Sequence, residues 1–152
     1  MICSLDRFHR MLPPGVRAKD RSFNPVWTPL IQGYHRAVKA FAGQGMNIIM
    51  DHILSKKERV IDFIKTFKAF DVTLVGLVCD LEELENRERI RKNRENGLAK
   101  WQFPRIHKYL EYDIRVDTGS YPIHECTTYF CRKLNGLGKK NAFKNVIETH
   151  NI

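Results

Sequence analysis

The sequence predicts an α/β fold built on a parallel sheet. Three observations carry that expectation: short continuous apolar runs at 46–50 and 72–79, amphipathic helical repeats between and after them, and an alternating β-branched segment at 112–117. Continuous apolar runs suit strands covered on both faces, and strands that alternate with helices pair in parallel.

Taken in order, residues 13–27 read as a loop, with Pro13-Pro14-Gly15 and Asn24-Pro25 as its turn signals. Thr28 before Pro29 reads as an N-cap and a first helical turn. Leu30, Ile31, Tyr34, Ala37, Val38 and Phe41 then recur at helical spacing until Gly43 and Gly45 close the helix. The run 46–50 is a strand that ends in Asp51. Ser55 with Glu58 has the form of a capping box, and Val60, Ile61, Ile64 and Phe67 supply the apolar stripe behind it. After the strand at 72–79, Asp80 with Glu83 opens a highly charged helix. The segment 112–117 alternates as a strand near a sheet edge does. Ser120 and Pro122 start a helix that carries Ile123, Cys126, Phe130 and Leu134 and stops at Gly136. One domain over residues 1–136 is expected, with 137–152 as a polar, peripheral tail.

The chain has 152 residues, 43% hydrophobic and 11% aromatic, which excludes general disorder. No apolar run approaches the roughly 20 residues that span a bilayer. The segment 1–6 has neither the basic start nor the long apolar stretch of a signal peptide, so the expected location is cytoplasmic. Cys3, Cys79, Cys126 and Cys131 have no zinc-ligand spacing and read as reduced thiols. A net charge of +9 attracts polyanions, of which nucleic acid and a nucleoside triphosphate are two kinds; it also serves solubility.

Four places could carry chemistry. Asn47-Ile48-Ile49-Met50-Asp51 is a hydrophobic strand ending in an acid, which either holds a metal ion or turns the chain. From Arg87 to Gly97 a basic helix runs into a glycine with Arg91 and Arg94 on one face. Those arginines either neutralise a transferring phosphoryl group or belong to a solvated, Glu/Arg-laced face. Asp6 sits in the first turn of a helix, where it serves as a catalytic acid or simply complements the dipole. His107, near Glu111, Tyr112 and Asp113, is a base or a helix-end cap.

These residues, in order, resemble the chloramphenicol phosphotransferase-like family over about residues 3 to 135. The matching string is Asp6 with Phe8 and Met11-Leu12-Pro13, then 47–51, then 74–80, then Glu82 to Asn86. It continues with Arg87-Glu88, Arg91, Arg94, Gly97-Leu98-Ala99, Gln102, His107, Tyr112-Asp113 and Val116-Asp117-Thr118. The resemblance implies a three-layer P-loop kinase-like parallel sheet and phosphorylation of a small-molecule hydroxyl acceptor with ATP and Mg²⁺. Asp6 would then be the general base, Asp51 the Walker B acid acting on Mg²⁺, and Arg91 and Arg94 the lid arginines that contact the nucleotide's transferring phosphoryl group. Loop 13–27, with Phe23 and Trp27, would line the acceptor pocket.

The sequence departs from that pattern at its start. No Gly-x-x-x-x-Gly-Lys-[Ser/Thr] string occurs in it, so the fold is expected to lack its central P-loop strand between 46–51 and 72–78. The expected origins are a true start further upstream or gene decay; a sheet closed by direct pairing of those strands, or a strand donated by a partner chain, are the other routes. The chain as given is expected to bind ATP poorly and to self-associate through unpaired strand edges. The rival reading is a noncatalytic nucleic-acid or polyanion-binding module that uses the basic runs 87–94 and 132–144. The first run has no interleaved aromatic and the second has only Phe143, which weighs against base stacking. A nonfunctional gene fragment is the third reading.

Overall fold

The computed structural model describes residues 1–17, 25–91 and 96–151. Its elements are β1 (Ile2–Ser4), α1 (Leu5–Arg10), α2 (Pro14–Arg17), α3 (Trp27–Gly43), β2 (Ile49–Asp51) and α4 (Lys57–Phe67). They continue with β3 (Val75–Val78), α5 (Leu81–Ile90), α6 (Leu98–Ile106), β4 (Ile114–Asp117), α7 (Ile123–Asn135) and α8 (Ala142–His150). The α/β class and the parallel pairing are as the patterning requires. β1 pairs with β2, Cys3 opposite Met50, and β3 pairs with β4, Gly76 opposite Arg115. A parallel pair needs a crossover, and α1 to α3 supply the first while α5 and α6 supply the second.

Each pair has its own core. Around β1–β2, the side chains of Tyr34, Val38, Val60, Phe63 and Ile64 from α3 and α4 are buried together. Ile114 and Val116 of β4 pack on Cys126 of α7, with Val75 and Phe130 at the margin. β2 and β3 are not hydrogen-bonded to each other, so the sheet does not close by direct pairing of those two runs.

Several local expectations are corrected. The apolar runs predict strands covered on both faces, yet Ile49 is 67% exposed and Leu77 63%. Each strand has one neighbour and helices on one side, which leaves its other face open. Helix α3 starts one residue before Thr28, with Val26 at the N-cap. Ser55 caps nothing: the helix begins after Lys56, one position too late for it, and the buried Ser55 hydroxyl accepts from Arg59 instead. Asp80 is the N-cap of α5 but makes no side-chain cap bond, and Glu83 accepts from Arg87 instead of reaching back to complete the box. The expectation of a peripheral segment at 137–152 is the largest miss. Ala142, Phe143 and Val146 of α8 are buried in the main core, and Phe143 meets Phe63 edge to face at 5.9 Å. Asp113 holds α8 there, accepting the N–H groups of Asn141 and Ala142 on one oxygen and that of Leu74 on the other.

Candidate functional site

Asp51 closes β2 with its side chain exposed, and the parallel register sets Ser4 opposite it. The Ser4 hydroxyl donates to the Asp51 carboxylate at 3.0 Å. Two residues beyond Ser4, Asp6 lies exposed in the first turn of α1. Both candidate acids therefore sit at the carboxyl end of the β1–β2 pair, the end where open parallel sheets bind ligands. Tyr34 anchors this end from beneath: its hydroxyl donates to the backbone carbonyls of Cys3 at 2.8 Å and Asp51 at 3.2 Å. Burial pushes the Tyr34 hydroxyl pKa well above its usual value, so it stays protonated as a donor.

Arg91 is exposed at the C-cap of α5, at the start of the connection to α6. Arg94 and Phe23 lie outside the described residues. Among the described residues no hydrogen bond or ion pair joins Arg91 to either acid. It does show how the base of that connection is held. Glu88 is 5% exposed, and its carboxylate accepts the N–H groups of Gly97 and Ala99 at 2.7 and 2.9 Å, across the connection. Gly97 turns there with a φ of 89°, a conformation that favours glycine. Arg87 bonds Glu83, the Thr118 hydroxyl and the Thr118 carbonyl, tying α5 to the end of β4. Asp117 accepts from the backbone of Gly119 and Ser120 and from the Ser120 hydroxyl, and those bonds hold its pKa below the ordinary value. Arg87, Glu88, Gly97, Asp117 and Thr118 are thus held by bonds within the fold, and Arg91 is exposed.

Of the other candidates, His107 is the C-cap of α6, and its ring bonds the Tyr112 hydroxyl at 2.7 Å. Desolvation lowers its pKa, with Arg115 adding to the effect. Trp27 stacks on His9 at 4.7 Å rather than standing in an open loop. In the rival polyanion reading, Phe143 is the aromatic of the basic tail, and its burial removes it from base stacking.

Sequence reasoning missed a buried polar chain behind β2. Arg36 and His35 of α3 both bond Asp62 of α4, and the His35 Nε2 meets the His52 Nε2 at 2.9 Å. Asp62 accepts from the Nδ1–H of His35, so His35 presents a bare Nε2 and the His52 Nε2–H donates to it. His52 Nδ1 is then a buried acceptor without a partner among the described residues. The only available signal was i, i+1 His-Arg on a helix whose apolar stripe already covers that face. Among the described residues no group of three or more His, Cys, Asp or Glu side chains is placed to hold a metal ion.

Short parallel strand pairs, helical crossovers and acids at the carboxyl end define a mixed α/β protein consistent with a P-loop kinase-like fold. A family profile described as chloramphenicol phosphotransferase-like protein matches residues 1–135, and the chain belongs to that family. Two proteins of Mycobacterium tuberculosis strains, each named "Putative O-phosphotransferase", are 31% identical over 101 residues, covering 66% of this chain and 45% of theirs. The matched part of the chain thus spans about half the length of these relatives. Among the described residues no helix is long and apolar enough to cross a membrane.

Proposed function

We propose that the chain serves ATP-dependent transfer of a phosphoryl group to a hydroxyl of a small molecule. The observation that carries this reading is the β1–β2 register, which gathers Asp6, Ser4 and Asp51 at one strand end. Asp6, exposed and next to that end, accepts the proton of the acceptor hydroxyl as its oxygen bonds the γ-phosphorus and the bond to the β-phosphate oxygen breaks. Arg91 and Arg94 neutralise charge on the moving group.

The fit to Mg²⁺ follows from the donor set. Magnesium takes one or two carboxylates and completes its shell with water and phosphate oxygens. Asp51, one exposed carboxylate beside a hydroxyl, suits that arrangement and supplies a single ligand. The fit to the nucleotide phosphates is poor in this sequence, which has no Gly-x-x-x-x-Gly-Lys-[Ser/Thr] loop to cradle them. The chain as given therefore binds Mg-ATP weakly.

The test has two arms. Calorimetry of the chain alone with Mg-ATP is expected to give no dissociation constant below about 1 mM, equivalent to roughly 4 kcal/mol. The same chain joined in frame to a P-loop strand and loop is expected to transfer radiolabelled phosphate to alcohols. No transfer from a folded, nucleotide-binding fusion would refute the assignment.

A further inference from the structure

The end of the loop after β2 with the first turn of α4, and α6 with the residues just past it, flank an open cleft of about 410 Å³. Lys56 and Lys57 line one side, and Arg105 and Lys108 line the other, against a single acid, Glu58. Trp101 and Tyr109 give the cleft aromatic walls. Arg105 lies 4.7 Å from the Trp101 ring centre, and Lys108 lies 5.4 Å from that of Tyr109. Among the described residues none of the four cations forms an ion pair.

Four cations facing one acid in a concave site repel one another within a Debye length of about 8 Å, and a bound anion relieves that repulsion. The arginine fork and the lysine ammonium groups match phosphate or carboxylate oxygens, while the rings accept a planar group. Position adds to the case. Lys56 is five residues past Asp51, at most roughly 17 Å of chain, and α6 follows the connection that begins at Arg91. The cleft is bounded by the segments that follow Asp51 and the Arg91 connection in the chain.

We propose that this cleft binds a small anion in which a phosphate or carboxylate is attached to a planar ring, and that this molecule is the hydroxyl acceptor. The second half rests on the phosphotransferase reading above; the first does not. The neutral alcohols that suit an aromatic wall alone are then poor ligands.

Titration of the chain as it stands with phenyl phosphate, followed by Trp101 fluorescence, checks the anion site. Saturable binding is expected, weakening as salt rises, with benzyl alcohol at least 10-fold weaker. Lys56→Ala with Lys108→Ala is expected to weaken phenyl phosphate at least 10-fold, whereas Lys133→Ala on α7 leaves it unchanged. Circular dichroism of each variant separates loss of binding from loss of fold, and the single variants serve if the double one unfolds. Absent binding, equal binding of the alcohol, or indifference to the lysines would overturn the proposal. So would tighter binding of a single-stranded oligonucleotide through the same residues, which assigns the cleft to nucleic acid. Anion binding without transfer in the P-loop fusion leaves the site standing and removes the kinase reading. Transfer to neutral alcohols at rates the lysine variants do not change does the reverse.

Discussion

The carboxylate of Glu88 on α5 accepts the backbone N–H of Gly97 at 2.7 Å, bridging the two ends of the connection that carries Arg91 and Arg94. With the second bond, from Ala99, one buried acid serves as the cap of α6, whose N-cap residue has no side chain to do so. Helix N-termini favour anions because their first N–H groups lack intrahelical partners. Glu88→Ala leaves those donors unpaired, and a loss of about 1–3 kcal/mol is expected in urea unfolding. An unchanged midpoint would show that water replaces the carboxylate without cost.

Gly76 is fixed by a neighbour rather than by its own backbone angles. A Cβ built there would stand 2.6 Å from the ring of Tyr112, closer than carbon atoms approach. The ring cannot retreat freely, because its hydroxyl bonds His107. Gly76→Ala is expected to cost about 1–3 kcal/mol through overpacking. Pairing it with Tyr112→Leu, which removes the ring edge, should recover part of that loss in a double-mutant cycle. Strict additivity would mean that the two sites do not touch.

Legibility tracked how local the governing contacts are. Helix α3 and the Asp80 N-cap position were readable because periodicity and capping act within a few residues. The placement of Asp6 in a first turn and of Asp51 at a strand end was readable for the same reason. The burial of Glu88 was not, since its partners lie nine and eleven residues away and six of the ten residues of its helix are charged. Strand β1, Ile2–Ser4, is too short a run to show any period. Helix α8 is hard to read although Ala142, Phe143, Val146 and Ile147 share one face, because Lys144 and Asn145 interrupt a stripe that covers Phe63.

Open strand edges bear on assembly. β1–β2 and β3–β4 are separate two-stranded sheets, and Ile49 and Leu77 are exposed on them. Unpaired edges with apolar side chains are templates for pairing with another chain. Concentration-dependent association is expected in sedimentation velocity, reduced by Ile49→Lys or Leu77→Lys. A monomer at every accessible concentration would indicate that the edges are otherwise protected.

The His35–His52 pair makes stability pH-dependent in a defined direction. Desolvation, then the neighbouring His35 and Arg59, lower the His52 pKa from 6.5 to about 3. Burial also lowers that of His35, opposed by its bond to Asp62, with Arg36 adding to the lowering. Tyr34, Phe63 and Phe67 face the pair without charge of their own at these pH values. Both imidazoles are neutral well above pH 6.5 in folded and unfolded chains alike, so their contribution is fully present there. As pH falls below 6.5 the unfolded chain takes up the protons first, and stability drops by up to about 1.4 kcal/mol per pH unit for each proton. His52→Asn should flatten the profile between pH 6.5 and 5, where few carboxylates titrate. An identical slope in wild type and variant would exclude the pair as its source.

Asp6 and Asp51 share a strand end but are expected to fail differently. Among the described residues Asp6, in the first turn of α1, has no hydrogen bond or ion pair, and Asp6→Asn keeps its size while removing the carboxylate. In the P-loop fusion this change should lower kcat by roughly 100-fold or more, the usual contribution of a general base, with nucleotide affinity unchanged. Asp51 differs because Ser4 bonds it and because the proposed function gives it a role toward the metal. Asp51→Asn should therefore weaken Mg-ATP binding as well as turnover, and high Mg²⁺ should restore part of the loss. Raising Mg²⁺ should do nothing for Asp6→Asn, since no metal shell is missing there. Measuring kcat and nucleotide affinity for both variants across a range of Mg²⁺ separates the roles. If Asp6→Asn retained most of its turnover, Asp6 would be only a helix-start acid, and the proton would have to leave the acceptor by another route.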